Sequence, residues 1–343
     1  MTHQLNGNGT SDNSPAFEAL LKETVEKGQS GLHLSSGCYA ISRTLELPTS
    51  ISLHLGPGAS IRALPDFQGD AVIRKEHCRS HAWSGRISGG MIDGGKQKLI
   101  GIHVPGACRM DISDIEIVDC LYKGIYIGLP KSEKTWGYEV NVRSVRCAID
   151  MQTQHAPDSV GLHYEQVTDS YVSQVVIIGY ETGIASESSA NDFSQVHVWS
   201  VTAHGPLKRN FYCNGWGDSF NQCYADAPFD EGRECYGFLV NKPFNRFTNC
   251  RVYSNSYTHD NTVVGFMLTP SGTHGSYLNN LFTAGAERRI KAAFAGDFEA
   301  ATMLGNGYDP HIIAGRENRI ASDTGGVSYI APLAIGGTTE PNR

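Results

Sequence analysis

Two short segments carry a glutamate at the same offset from a glycine: Gly161-Leu162-His163-Tyr164-Glu165 and Gly183-Ile184-Ala185-Ser186-Glu187. If both are strands, alternation sends Leu162, Tyr164, Ile184 and Ser186 inward and His163, Glu165, Ala185 and Glu187 outward. In neighbouring strands the backbones at Glu165 and Glu187 stand roughly 5 Å apart. Two like charges at that range raise one pKa, which makes one carboxyl an acid and the other a base or nucleophile. Carboxyls about 5–5.5 Å apart suit retaining or internal-transfer chemistry at a glycosidic bond, and about 6.5–9.5 Å an inverting reaction. His163, beside Glu165, is placed to tune it or to bind a sugar hydroxyl. The competing reading is a solvated exterior column.

A second acidic set, Asp226, Asp230, Glu231 and Glu234, follows a later strand, and Asp158 precedes Gly161. Asp226 is the candidate acid among these. Asp158 and Asp230 are candidate substrate contacts; Asp158, like Asp150, could instead serve a turn, and Asp230 could belong to a solvated acidic loop. Aromatic residues fall in the same neighbourhoods: Trp199 after His197, Tyr224 before Asp226, and Tyr253 and Tyr257 around Asn255. Sugar rings present apolar C–H faces that stack on such rings, so an acidic, aromatic-lined cleft suits a carbohydrate. Tyr212, Asn214 and Asn241 are outward by the same alternation and join the substrate-binding set. The histidines form no HExxH or other compact ligand set, and no Gly-rich phosphate loop opens a helix. No metal and no cofactor are expected.

These residues need elements to hold them, and the elements repeat. An apolar residue, a small polar residue, Gln or Asn, and another apolar residue recur at Val172-Ser173-Gln174-Val175, Phe193-Ser194-Gln195-Val196, Phe220-Asn221-Gln222-Cys223, Phe247-Thr248-Asn249-Cys250 and Leu278-Asn279-Asn280-Leu281. Looser copies begin at Ile112 and Val142, and Gly-led alternating segments recur in phase at Gly101, Gly124, Gly161, Gly183, Gly237 and Gly265. Units of some 21–31 residues with period-two alternation are solenoid coils, each unable to bury its apolar side alone. Stacked coils align Gln174, Gln195, Gln222, Asn249 and Asn280 in an amide ladder that is expected to satisfy bend amides. Cys223 and Cys250 share the register of Val175, Val196 and Leu281 and read as small core residues.

The expected organisation is a single all-β domain over 1–343. Residues 1–29 form an N-terminal cap with a helix over 15–27, residues 30–285 form the coils, and 286–343 form a C-terminal cap and tail. Early strands are expected over Leu32–Ile41, Leu45–Leu55 and Ile61–Leu64, and a second short helix or an irregular cap over 286–300. Gly at 38 of 343 residues is about 11% against a usual ~7%, which fits many tight turns. A net charge of −7 argues against a nucleic-acid partner, and no apolar run reaches the roughly 18–20 residues of a membrane span. The nine scattered cysteines with no CxxC pair read as free thiols. The start MTHQLNGNGTSDNSPAF has no basic stretch before an apolar core, so a cytoplasmic protein is expected, with a phage-derived or processed secreted form as alternatives.

Gly9-Thr10-Ser11-Asp12-Asn13-Ser14-Pro15-Ala16-Phe17 resembles the GDGxTDDTxAI opening of the pectate-lyase-like superfamily, and Ile87 to Gly94 resembles the I-x-G-G-x-I-D-G strand of polygalacturonase relatives. With the ladder, the resemblance covers nearly the whole chain. It implies a right-handed parallel β-helix with an N-terminal capping helix. By the same resemblance the Gly-led strands belong to the sheet whose outer face carries the cleft. The polygalacturonase motifs Asn-Thr-Asp, Asp-Asp and Gly-His-Gly are absent, and Arg289-Ile290-Lys291 matches only the letters of a fourth. The chain is closer to glycoside-hydrolase-28-related and inulin-fructotransferase-like members. The expected function is a carbohydrate-active enzyme that cleaves or rearranges glycosidic bonds of an oligo- or polysaccharide. A polysaccharide lyase or epimerase is the first alternative and a non-catalytic tailspike-like binder the second. The resemblance also implies a homo-oligomer, a trimer first, with outward Leu239 and Met267 as contacts.

Overall fold

The computed structural model describes residues 4–77, 84–106, 108–129, 136–254, 262–272, 274–284, 290–296, 301–308 and 328–329. Asn255, Tyr257, Arg289 and most of the tail lie outside them. The strands wind into a parallel β-solenoid of about nine turns. Its first sheet stacks Ile100–Val104, Lys123–Gly128, Val160–Thr168, Thr182–Ser189, Arg209–Cys213, Cys235–Val240, Val263–Leu268 and Ala292–Gly296 in parallel register. The other two sheets share long strands such as Gly137–Ala148, Tyr171–Ile178 and Asp192–Trp199, which stack in turn. Further along, these break into short pairs such as Ser219–Asn221 with Tyr224–Asp226.

The helix Ser14–Glu26 buries Phe17 and Leu21 against the first coils. Its entry is tied by Asp12, which accepts from the Ser14 and Ser42 amides and hydroxyls. The strand expected over 45–55 is split: Gly37–Leu47 ends before Pro48, and Ser52–Leu55 follows. The buried Lys75 ammonium donates to the Pro48 and Ile51 carbonyls and closes that turn. In place of a helix over 286–300 the described residues show the strand Ala292–Gly296, whose Phe294 stacks on Phe266 at 5.3 Å. Strand stacking continues through Thr302–Leu304 and Gly307–Tyr308.

The repeated glycine has a steric cause. A Cβ on Gly161 would overlap the Ile177 side chain, and one on Gly183 would overlap Val198. The first and third sheets meet there too closely for any side chain. Elsewhere the interior is filled by columns. Phe193, Phe220, Phe247 and Tyr277 stack at 4.8, 5.0 and 5.1 Å, and Phe211, Phe238 and Phe266 at 4.5 Å each. Each buried aromatic ring contributes on the order of 2–3 kcal/mol from area alone.

The amide ladder differs from expectation. Gln174, Gln195, Gln222 and Asn249 do align, but they are exposed and left-handed, with φ of 53° to 55°. The fifth member is Asn279 and not Asn280, because Thr248 pairs with Leu278. A left-handed bend points the side chain outward. The bend amides are satisfied instead by the next coil's backbone, as Gln222 N–H on Thr248 O at 2.9 Å and Asn249 N–H on Leu278 O at 2.9 Å. Asn280 occupies the cysteine register, and Leu281 pairs with Arg251 on the other face. Cys223, Cys250, Asn280 and Asn306 each donate to the carbonyl of a ring residue in the preceding coil: Phe193, Phe220, Phe247 and Tyr277. A second buried column runs along another corner. Ser170, Asn191 and Asp218 each donate a backbone N–H to the side chain of the next member, Asn191, Asp218 and Asn245. The seven cysteines with described side chains are all free thiols.

Candidate functional site

Glu165 and Glu187 are direct partners in the first sheet, and His163 pairs with Ala185 one outward position earlier. The expected column is therefore present. Beside it Arg74, His103, Tyr126, His163, Ala185, Tyr212 and Leu239 form the neighbouring outward column. Tyr126 lies between two imidazoles, stacked on His103 at 4.7 Å and on His163 at 5.1 Å.

The polar atoms form one connected set. The Lys123 ammonium lies 2.9 Å from His163 Nδ1 and 3.8 Å from the Tyr126 ring centre. An ammonium can only donate, so Nδ1 is the acceptor and Nε2 carries the proton. That Nε2 is 3.3 Å from Glu187 Oε1 and 3.9 Å from Glu165 Oε2. The Tyr126 hydroxyl donates to Glu165 Oε2 at 2.8 Å, and Asn214 Nδ2 donates to Glu187 Oε2 at 3.2 Å. Asn241 Nδ2 in turn donates to the Tyr212 hydroxyl at 3.0 Å. The nearest oxygens of the two carboxyls, both close to one nitrogen, are at most about 7 Å apart, close enough for both to face one sugar unit. Burial pushes the pKa of His163 down, which keeps the imidazole neutral. It also lowers that of Lys123, against the pull of both glutamates, and raises that of Tyr126, so the phenol stays a donor.

A depression of about 200 Å³ opens on this set, lined by Lys123, Asp158, His163, Thr182, Glu187 and Arg209, with Tyr212 on its floor. Glu187 lines it, and Glu165 is its register partner on the adjacent strand. A larger groove of about 720 Å³ adjoins it, lined by His155, Glu181, Thr202, Lys208, Phe229 and Glu231 among others. Pro157 and Asp158, Glu181 and Thr182, and Lys208 and Arg209 are consecutive pairs, one residue of each in either wall. The groove has a simple origin. Only Gly179, Tyr180 and Glu181 connect Tyr171–Ile178 to Thr182–Ser189, while the flanking coils carry the longer links 149–159 and 200–208. The short coil is the floor and its neighbours are the walls.

The structure separates the remaining candidates. Asp226 ends the strand Tyr224–Asp226 in the third sheet rather than following it. There its Oδ2 is 3.3 Å from His197 Nε2, His197 stacks on Tyr224 at 4.5 Å, and Arg251 lies 5.0 Å from the Tyr224 ring centre. Trp199 is outward on the His197 strand. Trp199, Tyr224 and Asp226 thus share a face with one another and not with the glutamate pair. Asp230 is buried in a turn closed by Arg233 N–H on its carbonyl, while its neighbour Glu231 lines the groove. Asp158 lines the depression with φ of 58° and gives its N–H to Glu181 Oε2 at 3.3 Å. Sequence reasoning missed Lys123 and Arg209 and left Tyr126 as an extension of the face. Only Tyr126 holds an outward position, paired with His163; Lys123 and Arg209 open their strands opposite Val160 and Thr182, on the parity of Leu162 and Ile184, so alternation alone sends them inward.

No protein-family model matches the chain, and no curated protein sequence matches it. Solved structures do. The chain is similar to ORF18 of Geobacillus virus E2 at 14% identity and a TM-score of 0.58, covering 90% of this chain and 60% of that one. It is similar to the A-module of mannuronan C-5 epimerase AlgE6 from Azotobacter vinelandii at 12% identity and a TM-score of 0.59, covering 89% and 92%. It is also similar to the tailspike of E. coli bacteriophage HK620 in complex with a pentasaccharide, at 10% identity and a TM-score of 0.59, covering 89% and 64%. The fold is that of the pectate-lyase-like right-handed parallel β-helices. At these identities the likeness is one of fold.

Proposed function

We propose that the protein is a carbohydrate-active enzyme acting on an oligo- or polysaccharide at the Glu165–Glu187 pair. The observation that carries the reading is the pairing itself: two carboxyls in register on adjacent coils, one imidazole nitrogen near both, at the edge of a depression that continues into a groove. Structures with this fold include one solved with a bound pentasaccharide and the A-module of a mannuronan C-5 epimerase, which supports a carbohydrate partner. Glu187, which lines the depression, reaches the substrate; one carboxyl of the pair protonates the leaving oxygen and the other serves as base or nucleophile. Turnover of a panel of fructans, pectins and bacterial exopolysaccharides tests this. Activity of the wild type on one of them and its loss in Glu187→Gln is the expected result. Full activity in both Glu165→Gln and Glu187→Gln removes the reading.

One observation favours a second reading, proton abstraction by a lyase or epimerase. Tyr126 is a buried phenol held between two imidazoles, with an ammonium over its ring, which is an arrangement suited to moving a proton. The products separate the two. A lyase leaves a conjugated, ultraviolet-absorbing double bond and a hydrolase leaves a new reducing end without one.

A further inference from the structure

The turns that leave the first sheet carry large rings in solvent. Trp216 is 54% exposed and Phe244 47% exposed. Trp216 contacts Phe244 at 5.2 Å, and Phe244 contacts His274 at 5.4 Å, so the rings form a stripe parallel to the solenoid axis on successive coils. Two of these residues hold the left-handed backbone, Phe244 at φ 64° and His274 at φ 60°. That conformation is unfavourable for a bulky side chain and persists only where surrounding structure enforces it. Here it is enforced: Trp216 N–H bonds Ser188 O at 3.0 Å, Gly217 N–H bonds Pro243 O at 3.2 Å, and the buried Asn245 amide donates to the Lys242 and Gly215 carbonyls at 2.8 and 3.1 Å. The same left-handed residue recurs at this corner as Asp169, Ala190 and Gly217, each directly before a member of the buried Ser170, Asn191, Asp218 and Asn245 column, so the corner itself fixes the backbone and holds the Phe244 and His274 rings in place.

The stripe is continuous with the candidate site. Trp216 pairs with Ser189, two residues beyond Glu187, and Asn214, two residues before Trp216, bonds Glu187. Asn241 stands between Tyr212 and the Phe244 turn, where its Nδ2 donates to the Tyr212 hydroxyl and its Oδ1 is buried. Flat apolar rings at near-coil spacing, edged by amides, match a chain of sugar rings, which offer C–H faces and peripheral hydroxyls. A protein partner fits less well, because a stable interface needs about 800 Å² per side, far more than a narrow stripe of rings supplies.

We infer that Trp216, Phe244 and His274 form a glycan-binding platform that holds a polysaccharide along the solenoid axis, on the C-terminal side of Glu187. The inference rests on the carbohydrate reading above but not on the chemistry at the glutamates. Native gels cast with alginate, polygalacturonate, inulin or xanthan test it. The wild type is retarded by at least one polymer. Trp216→Ala weakens that binding about tenfold, the scale of one well-placed aromatic contact. Phe244→Gly weakens binding as well and raises Tm by roughly 1–2 °C, because glycine relieves the left-handed strain. Glu187→Gln is retarded like the wild type, which separates failure of the platform from failure of the catalytic proposal. The inference is overturned by a wild type that none of the four polymers retards, by variants retarded as strongly as wild type, or by a lowered Tm in Phe244→Gly. A change of mass in light scattering on Trp216→Ala, the mark of a second copy seated on the stripe, also overturns it.

Discussion

His163 on the first sheet and His197 on the third stand in nearly the same company. Each stacks on a tyrosine, at 5.1 Å from Tyr126 and 4.5 Å from Tyr224, and each lies 3.3 Å from a carboxylate, Glu187 and Asp226. Each has a cation over that tyrosine, Lys123 and Arg251. The His163 side chain, however, is 9% exposed and that of His197 35%. The first set is drawn into the wall of a depression and joined by a second carboxylate. The second lies on an open sheet face. Where water is excluded, electrostatic interactions strengthen and protonation states are held. The same residue types left in water make a surface. Composition cannot distinguish the two faces, and burial can.

The sharpest way to break this comparison is to neutralise the two carboxylates separately. Glu187→Gln should lower kcat by roughly a hundredfold or more, the usual contribution of a positioned acid or base, whereas Asp226→Asn should leave it within about twofold. Kinetics on one polymer substrate decide between the faces, and the reverse outcome moves the chemistry to the third sheet. Next in size is Tyr126→Phe. Losing the hydroxyl on the half-buried Glu165 should slow turnover by about tenfold, given the strength of hydrogen bonds to charged groups, while Tyr224→Phe on the open face should be silent.

A third test reaches beneath the first sheet. Asp218 is buried below Glu187's strand, where Ser186 Oγ donates to it at 2.6 Å, and burial lifts its pKa to about 6. The folded state therefore holds this proton more tightly than the unfolded chain does. Its contribution to stability is full below about pH 4 and is lost as pH rises through about 6, a change on the order of 3 kcal/mol. Denaturant melts of wild type and Asp218→Asn across that range should converge at low pH, with the variant the more stable at pH 7. Parallel curves would show that the carboxyl is neutralised by something else. The smallest effect is expected at the exposed bend. Gln222→Leu should leave Tm within about 1 °C, because Thr248 O already satisfies the Gln222 amide.

The repeat made the solenoid legible, since each coil must present the same apolar face to its neighbours. Alternation then placed His163, Glu165, Ala185 and Glu187 on their correct side. What alternation could not supply was depth. Trp199, Tyr224 and Asp226 look as well suited to a sugar as Tyr212, but which sheet a strand joins decides their neighbours. The one-residue slip at Asn279 and Asn280 had a similar cause: two adjacent asparagines satisfy the pattern equally, and only the pairing of Leu278 with Thr248 separates the exposed bend from the buried corner. The stripe of Trp216 and Phe244 carried no repeat signal at all, because its turns vary in sequence while their geometry is conserved from coil to coil.

The link of Gly179, Tyr180 and Glu181 is short where its neighbours are long, and that difference opens the groove above it. In a solenoid the columns of strand residues keep their register whatever the length of the links outside them. Relief on the surface is thus written in insertions and deletions and not in the packed positions. A lineage with this scaffold can deepen, roof or erase a binding groove by changing the length of one link, while the carboxylates on the strand below keep their spacing.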